Sequence, residues 1–178
     1  NYLETQFDNC ENVVILAHSL GGVIARKYLV EEIKQGRSAG LRVRAMILYG
    51  SPFDGSEWDR VTRFLAATKS QAAHVHADSA FLLELQKDWS RYVACLDWDI
   101  GEASQLAVPT YAMVGVKDTT VSDLSASFYS NRVRKVMKDH QGLVKPQDKN
   151  DEVYVTTKAF LQMIVKDLAK PRTNKTCV

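Results

Sequence analysis

The sequence changes from a buried-strand pattern to a helical pattern within five residues, at positions 17–21 (AHSLG). Residues 13–16 form a short apolar, partly β-branched run, which is typical of a parallel strand buried on both faces. After this turn, apolar residues repeat at i, i+4 and i+8, which predicts an amphipathic helix that ends near Lys34 and Gly36. This junction therefore favours a parallel sheet that is flanked by helices.

The turn around Ser19 has the composition of a nucleophile elbow, a tight strand-to-helix turn with the pattern G-x-S-x-G. Such a turn strains the serine backbone and brings the residues two before and two after it together, so both must be small. Here they are Ala17 and Gly21, and the alanine departs from the pattern by one methyl group. The turn presents the Ser19 hydroxyl at the carboxyl end of the sheet. The backbone N–H of Leu20 and the helix N-terminus favour a developing negative charge there.

Further strands and helices alternate along the rest of the chain, which indicates a parallel sheet. The predicted strands are 44–49, 108–115 and 132–137, and the predicted helices are 58–67, 79–92 and 154–168. The last strand alternates apolar and basic residues, which places it near a sheet edge. We expect one domain over residues 1–169, in which residues 53–105 form a helical, cap-like insertion, and a frayed tail at 170–178. The apolar residues of the insertion either pack on the sheet or line an acyl pocket: Trp58, Phe64, Phe81, Leu82 and Trp89.

A serine hydroxyl needs a base that takes its proton and an acid that orients the base. In chains with this kind of elbow the order is serine, acid, histidine. Of the histidines after Ser19, only His140 follows a strand and precedes the last helix, which makes it the candidate base. Asp118 follows the third strand and is the candidate acid, with Asp123 as the alternative. Asp139 is expected to face solvent.

The other histidines and the cysteines do not predict a metal or cofactor site. His74 and His76 have no third ligand at a suitable spacing, and His18 is better placed to support the turn at Ser19. The three cysteines have no metal-binding spacing and favour reduced thiols: Cys10, Cys95 and Cys177. The expected chemistry needs no cofactor.

Four segments occur in the order seen in α/β-hydrolases: 17–22 (AHSLGG), 50–56 (GSPFDGS), 114–118 (VGVKD) and 139–146 (DHQGLVKP). The chain most closely resembles the subgroup of GPI-inositol-deacylase-like proteins and serine-active-site lipases or esterases. That subgroup has a Gly-Thr-Pro-His-x-Gly-Ser segment after the strand that follows the elbow, where this chain has Ser51 and Phe53 in place of threonine and histidine. Its Asp-His-x-x-x-x-Lys-Pro segment matches at His140, Lys145 and Pro146.

The resemblance implies an α/β-hydrolase fold in which the four strands are the fifth to eighth of the family's sheet, side by side. It also implies that the earlier strands lie outside this sequence, in cis or on a partner chain. The part of the fold that contains those earlier strands would normally supply a second oxyanion-hole N–H. Loss of one such donor lowers the reaction rate by a factor of about 10²–10³. Without it, the elbow strand would be an unpaired sheet edge that invites association. Because the sequence starts at Asn1, with no methionine and no signal-peptide pattern, we expect a longer parent protein.

Composition argues against several other classes of protein. A net charge of +2, from scattered basic residues, does not indicate nucleic acid or an acidic membrane surface as a partner. No apolar run approaches the roughly 20 residues that cross a bilayer.

We therefore predict a cytoplasmic serine esterase or lipase-like acyl hydrolase, which acts on a small-molecule or lipid ester through Ser19, Asp118 and His140. A non-catalytic interaction module with the same fold is the alternative, and acyl transfer to an acceptor other than water would use the same residues.

Overall fold

A sheet of four parallel strands forms the centre of the computed structural model, which describes residues 10–36, 42–53, 57–67, 79–93, 108–128 and 130–169. The spatial order of the strands follows the chain: β1 (Val13–His18), β2 (Val43–Tyr49), β3 (Thr110–Gly115) and β4 (Arg132–Val136). Four parallel strands in this order were expected from the sequence, and the expectation is confirmed.

Five α-helices are present in the described residues, and all except the short α4 lie where apolar residues recur at helical spacing: α1 (Leu20–Lys34), α2 (Trp58–Ala67), α3 (Ser79–Tyr92), α4 (Asp123–Ser127) and α5 (Glu152–Leu168). The predicted helices 58–67 and 79–92 are confirmed within the region interpreted as a cap, whose role as a cap stays a prediction. Helix α5 begins two residues before the predicted start because the Asp151 side chain accepts a hydrogen bond from the Val153 N–H and caps it. Helix α4 and a 3₁₀ turn (Gly142–Val144) were not predicted, since both are too short to show periodicity.

Two apolar clusters pack against the sheet, and alternate residues of β2 contribute to each. Met46 and Leu48 belong to the cluster that includes residues of α1, α2 and α3, whereas Ile47 and Tyr49 belong to the cluster that includes α5. This alternation follows from the two-residue period of a strand. Strands β2 and β3 are therefore buried on both faces, as their continuous apolar sequences predicted.

Within the described residues, β1 and β4 each pair with one other strand and form the two edges of the sheet. The edge position of β4 confirms the interpretation of its alternating sequence. None of the helices in the described ranges combines the length and the apolar character that crossing a bilayer requires.

Because the four strands are parallel, the chain segments that follow them lie together at the carboxyl-terminal end of the sheet. Paired residues near the carboxyl ends of neighbouring strands are His18 with Tyr49, and Gly115 with Val136. The segments that follow these strands carry the candidate serine, acid and histidine. Residues far apart in the sequence can therefore meet at this end of the sheet.

Candidate active site

Ser19 occupies a strained turn between β1 and α1. Its φ is 51° and its ψ is −126°, and among the described residues other than glycine it alone has a positive φ. The turn is held by hydrogen bonds from the Ser19 N–H to the Tyr49 carbonyl and from the Gly22 N–H to the Ser19 carbonyl, both 3.0 Å. A Cβ built on Gly21 would lie 3.9 Å from the Ala17 Cβ, which is ordinary van der Waals contact. The turn therefore accommodates alanine at the position where the motif has glycine.

The structure brings the three predicted residues into one chain of hydrogen bonds. The Ser19 Oγ lies 2.9 Å from the His140 Nε2, and the His140 Nδ1 lies 2.7 Å from the Asp118 Oδ2. Because a carboxylate only accepts hydrogen bonds, Nδ1 carries the proton and Nε2 of the neutral ring accepts from the serine hydroxyl. The side chains of His140 and Asp118 are 4% and 1% exposed. The alternative acid, Asp123, instead forms an ion pair with Lys135 of β4.

The Asp118 carboxylate is stabilised by the loop that carries it. Its Oδ1 accepts hydrogen bonds from the backbone N–H groups of Thr120 at 2.8 Å and Val121 at 3.0 Å. Burial alone would raise the pKa of Asp118, but the hydrogen bonds from His140, Val121 and Thr120 outweigh burial and hold the pKa below its ordinary value of 3.8. Asp118 is therefore ionised at neutral pH and can orient the imidazole.

His18 contacts the histidine loop. Its Nε2 donates a hydrogen bond to the His140 backbone carbonyl at 2.8 Å, and the two ring centroids are 4.7 Å apart. Burial lowers the pKa of His18, and the repulsion that a protonated His140 would exert lowers it further. A neutral His18 thus supports the site through the loop that carries His140, and not only through the turn at Ser19 as expected from its position.

Gly50, which directly follows β2, is a site residue that the sequence analysis did not predict. Its φ is 47°, and a Cβ there would lie 2.8 Å from the Leu143 side chain, 2.9 Å from the Asp118 Oδ2 and 3.3 Å from the His140 Nδ1. The absence of a side chain therefore leaves room for the hydrogen bond between Asp118 and His140. A glycine directly after a buried strand was the signal that could have identified it.

Two residues of the segment around α2 also reach the site. The Phe64 and His140 rings pack in a T-shaped arrangement, with centroids 4.6 Å apart and an interplanar angle of 82°. Glu57, which is 2% exposed, accepts hydrogen bonds at 2.7 Å from the Ser122 N–H and from Arg60. Glu57 thereby anchors the far end of the loop that begins at Asp118. No periodicity or motif in the sequence marks either contact.

Leu20, the candidate oxyanion-hole donor, is the first residue of α1 and is buried. The N–H groups of a first helical turn have no acceptor within their helix, so they are available to an anion. The role of Leu20 stays a prediction. Within the described ranges, no group of three or more His, Cys, Asp and Glu side chains could hold a metal ion. His74, His76, Cys95 and Cys177 lie outside those ranges, and Cys10 is an exposed, free thiol.

Comparison with known structures finds the same architecture in human thioesterase 2, with a TM-score of 0.53 over 90% of this chain and 76% of that chain. The chain has the α/β-hydrolase fold. The two proteins are 12% identical, so the likeness concerns the fold alone. The predicted fold class is therefore confirmed, and β1 to β4 with the elbow at Ser19 are its recognisable parts.

Sequence comparison adds distant relatives of this α/β-hydrolase-fold chain. It is 26% identical to human protein SERAC1 over 162 residues, which are 88% of this chain and 25% of that protein. It is 24% identical to zebrafish (Danio rerio) SERAC1 over 155 residues, 84% of this chain and 23% of that protein. The chain thus spans about a quarter of the length of the curated relatives it matches. No family model matches the sequence, and the subgroup expected from its motifs stays a prediction.

Proposed function

We propose that this chain is a serine hydrolase that cleaves carboxylic esters. The observation that carries the proposal is the hydrogen-bonded chain from the Ser19 hydroxyl through His140 to Asp118. A serine alcohol is a weak nucleophile, and an adjacent, oriented base is the usual means of activating it. The α/β-hydrolase fold supports the proposal because the serine lies at the strand-to-helix turn where that fold carries its nucleophile.

In the first half of the proposed reaction, the Ser19 Oγ attacks the ester carbonyl carbon while the His140 Nε2 takes the hydroxyl proton. Asp118 keeps the imidazole in the required tautomer and stabilises its positive charge. The carbonyl oxygen becomes an oxyanion, which accepts from the Leu20 N–H at the positive end of α1. His140 then gives its proton to the leaving alcohol, and an acyl-serine remains.

In the second half, a water molecule gives a proton to His140 and attacks the acyl-serine carbonyl. The tetrahedral species collapses, the proton returns to the Ser19 Oγ, and the free acid leaves. An acceptor alcohol in place of water would give acyl transfer by the same steps. Analysis of the products in the presence of an added alcohol separates the two reactions.

The rival proposal is an interaction module that keeps the fold without its chemistry, since fold alone does not determine function. The burial of the site favours the interaction module, because a substrate has little access to it. Ser19 and His140 are each 3% exposed, and Phe64 lies against the imidazole. The strain at Ser19 favours the enzyme, because such backbone conformations cost about 1–3 kcal/mol and are concentrated at functional sites. A direct test of Ser19 reactivity decides between the two.

The test is labelling of the full-length protein with a fluorophosphonate probe, which reacts with activated serines. We expect labelling of the wild type, none of Ser19→Ala, and full labelling of Ser51→Ala. Ser51 is a matched control because it is also buried, at 2% exposed, and its hydroxyl has no hydrogen-bond partner among the residues that the structure describes. If folded wild-type protein is not labelled and does not hydrolyse p-nitrophenyl acetate, the interaction module is the better account.

A further inference from the structure

Arg26 carries a buried charge in the first half of α1. It is 1% exposed, although arginine is almost never fully buried in proteins unless it is paired. Among the described residues no carboxylate forms an ion pair with it, and its Nη1 has no hydrogen-bond partner. Burial lowers the pKa of Arg26 to about 9, so the guanidinium is still charged at neutral pH. Because a buried charge is costly, the contacts of Arg26 indicate what the residue does.

The guanidinium contacts the chain segment that leaves β2, residues 50–53, which we call the post-β2 segment. Its Nη2 donates a hydrogen bond to the Pro52 carbonyl, and its planar group lies over the Phe53 ring, 4.2 Å from the ring centroid. Arginine suits both contacts, because its flat group stacks on aromatic faces and presents its donors in fixed directions. The Nε donates to the Gly22 carbonyl of its own helix at 3.3 Å. Arg26 therefore joins α1 to two consecutive residues of the segment.

The same face of α1 contacts the post-β2 segment one helical turn earlier. A Cβ built on Gly22 would lie 2.7 Å from the Ser51 Cβ, so the helix and the segment meet there with no room for a side chain. Gly22 and Arg26 are four residues apart, which places them on one face of the helix. Helix α1 thus holds the segment at two successive turns.

The other side of the post-β2 segment is held by α4, the short helix at the end of the Asp118 loop. The Phe53 N–H donates a hydrogen bond to the Ser125 Oγ at 3.0 Å. The Phe53 ring also packs against the ring of Phe128, which follows α4, with centroids 5.3 Å apart. The segment is therefore clamped between the helix that follows the candidate nucleophile and the helix that follows the candidate acid.

Gly50, at the start of the post-β2 segment, depends on this clamp. Glycine is conformationally permissive, so the positive φ of Gly50 does not by itself fix the direction of the chain after β2. On the strand side, the Gly50 N–H donates to the Met113 carbonyl at 3.0 Å. On the other side, the hydrogen bond from Arg26 to the Pro52 carbonyl fixes the chain two residues later. The position of Gly50 in the site thus depends on both anchors.

From these contacts we propose that Arg26 is a positioning residue of the site, which holds the post-β2 segment so that Gly50 stays in place. Gly50 then leaves room for the hydrogen bond between His140 and Asp118. Arg26 acts through the backbone of the segment and not by contact with a substrate. Its effect on kcat rests on the proposed hydrolase function, whereas its effect on the hydrogen bond does not.

The experiment observes that hydrogen bond directly, by proton NMR of the full-length protein. The proton between the His140 Nδ1 and the Asp118 Oδ2, which are 2.7 Å apart, should give a resonance far downfield that is absent from His140→Gln. Arg26→Met removes the charge, the hydrogen bond and the flat group, and should shift this resonance upfield or abolish it. It should also lower kcat about 10²-fold with little change in KM, because a displacement of about 1 Å in a catalytic group has that effect.

Arg26→Lys keeps the positive charge and a donor but not the flat group, so both effects should lie between those of the wild type and Arg26→Met. This variant carries the test if Arg26→Met does not fold. Arg63→Met is the matched control. The Arg63 Nε also donates to a carbonyl four residues earlier in its helix, that of Asp59 at 3.1 Å, but Arg63 is exposed. Its resonance and kcat should equal those of the wild type.

An Arg26 that only stabilised the fold would lower the free energy of unfolding, measured separately with urea, and leave the resonance and kcat unchanged. That result in folded Arg26→Met, or in Arg26→Lys if the methionine variant does not fold, would overturn the proposal. Absence of the resonance from the wild type would overturn the hydrogen bond itself and with it the role of Arg26. A wild type with the resonance but without Ser19-dependent hydrolysis of p-nitrophenyl acetate would overturn the hydrolase alone, and the NMR comparison would still decide the role of Arg26.

Discussion

Asp118 and Asp151 make the same kinds of hydrogen bond in two different regions of the molecule. Each accepts from two backbone N–H groups and from one basic side chain. For Asp151 the backbone donors are Gln147 at 3.0 Å and Val153 at 2.9 Å, and the side chain is Lys138 at 2.7 Å. The hydrogen bond from Lys138, followed by the backbone donors, lowers the pKa of Asp151 to about 2. Both carboxylates are therefore ionised at neutral pH.

The two carboxylates differ in what their basic partner contacts. The partner of Asp118 is His140, which is almost fully buried and reaches the Ser19 hydroxyl with its other nitrogen. The partner of Asp151 is Lys138, whose ammonium has a fixed charge at neutral pH and no second nitrogen that could take a proton. The same set of hydrogen bonds thus caps a helix in one region and orients a candidate base in the other.

The strongest test of this difference exchanges each carboxylate for an amide. Asp118→Asn should lower kcat by about 10⁴, because the amide favours the wrong imidazole tautomer. Asp151→Asn should leave kcat within twofold of the wild type. Both are measured with p-nitrophenyl acetate, and circular dichroism checks the fold. Equal losses in the two variants would mean that the difference in partners has no functional consequence.

A second test uses two glycines with similar backbones and different surroundings. Gly50 and Gly36 have φ values of 47° and 64°. A Cβ on Gly50 would meet Asp118 and His140, whereas a Cβ on Gly36 would meet no atom of the described residues within 4 Å. Gly50→Ala should lower kcat about 10²-fold by displacing the pair, since an error of about 1 Å in a catalytic group has that effect.

Gly36→Ala carries the same backbone penalty of about 1–2 kcal/mol without the contact, so its kcat should equal that of the wild type. Urea unfolding of both variants separates lost stability from lost geometry. If Gly50→Ala retains wild-type kcat, the space beside Asp118 is not needed to hold His140.

The loop of Asp118 has an additional anchor in the buried Glu57, whereas the corresponding carboxylate near Asp151, Glu152, accepts an exposed hydrogen bond from the Met137 N–H at 2.6 Å. Glu57→Ala removes the charged acceptor of the part-buried hydrogen bond from the Ser122 N–H and should lower the free energy of unfolding by about 1.5–3 kcal/mol. Glu57→Gln keeps an acceptor oxygen and should lose less. Urea unfolding measures both. Equal losses would show that the negative charge, and not the hydrogen bond, anchors the loop.

The smallest expected effect is the dependence of stability on acid. Both carboxylates have a folded-state pKa below the ordinary value of 3.8, so each contributes stability above that value and loses it as the pH falls through the folded-state pKa. The difference in urea midpoint between the wild type and either asparagine variant should therefore shrink between pH 5 and pH 3. The measurement is urea unfolding across this range, and a difference independent of pH would contradict the assignment of lowered pKa values.

Local patterns predicted the strands and most of the helices, and the resemblance to α/β-hydrolases supplied the order of the strands in the sheet and the order of serine, acid and histidine along the chain. The strands and most of the helices have short apolar runs or clear helical spacing, and parallel strands bring their carboxyl ends to one edge. Ser19, Asp118 and His140 each follow such a strand, so their convergence could be expected from the order of elements. The extra methyl group of Ala17 does not crowd the turn, since even a Cβ added to Gly21 would be only in ordinary van der Waals contact with it.

The supporting contacts could not be predicted, because they depend on packing between distant segments. His18 and the His140 carbonyl are 122 residues apart, and Glu57 and the Ser122 N–H are 65 apart. The ring of Phe64 reaches His140 only because of the orientation that α2 takes on the sheet. No property of these side chains in isolation distinguishes them from others of their type.

At Ser19 a strained backbone lowers the stability of the fold and at the same time presents the hydroxyl of the proposed nucleophile. A glycine could adopt the same positive φ without the steric penalty that a Cβ brings. If stability alone determined the sequence, glycine would be preferred to serine at the position that follows β1. Under the proposed hydrolase function, a substitution that relieves the strain at Ser19 stabilises the turn and removes the nucleophile at the same time.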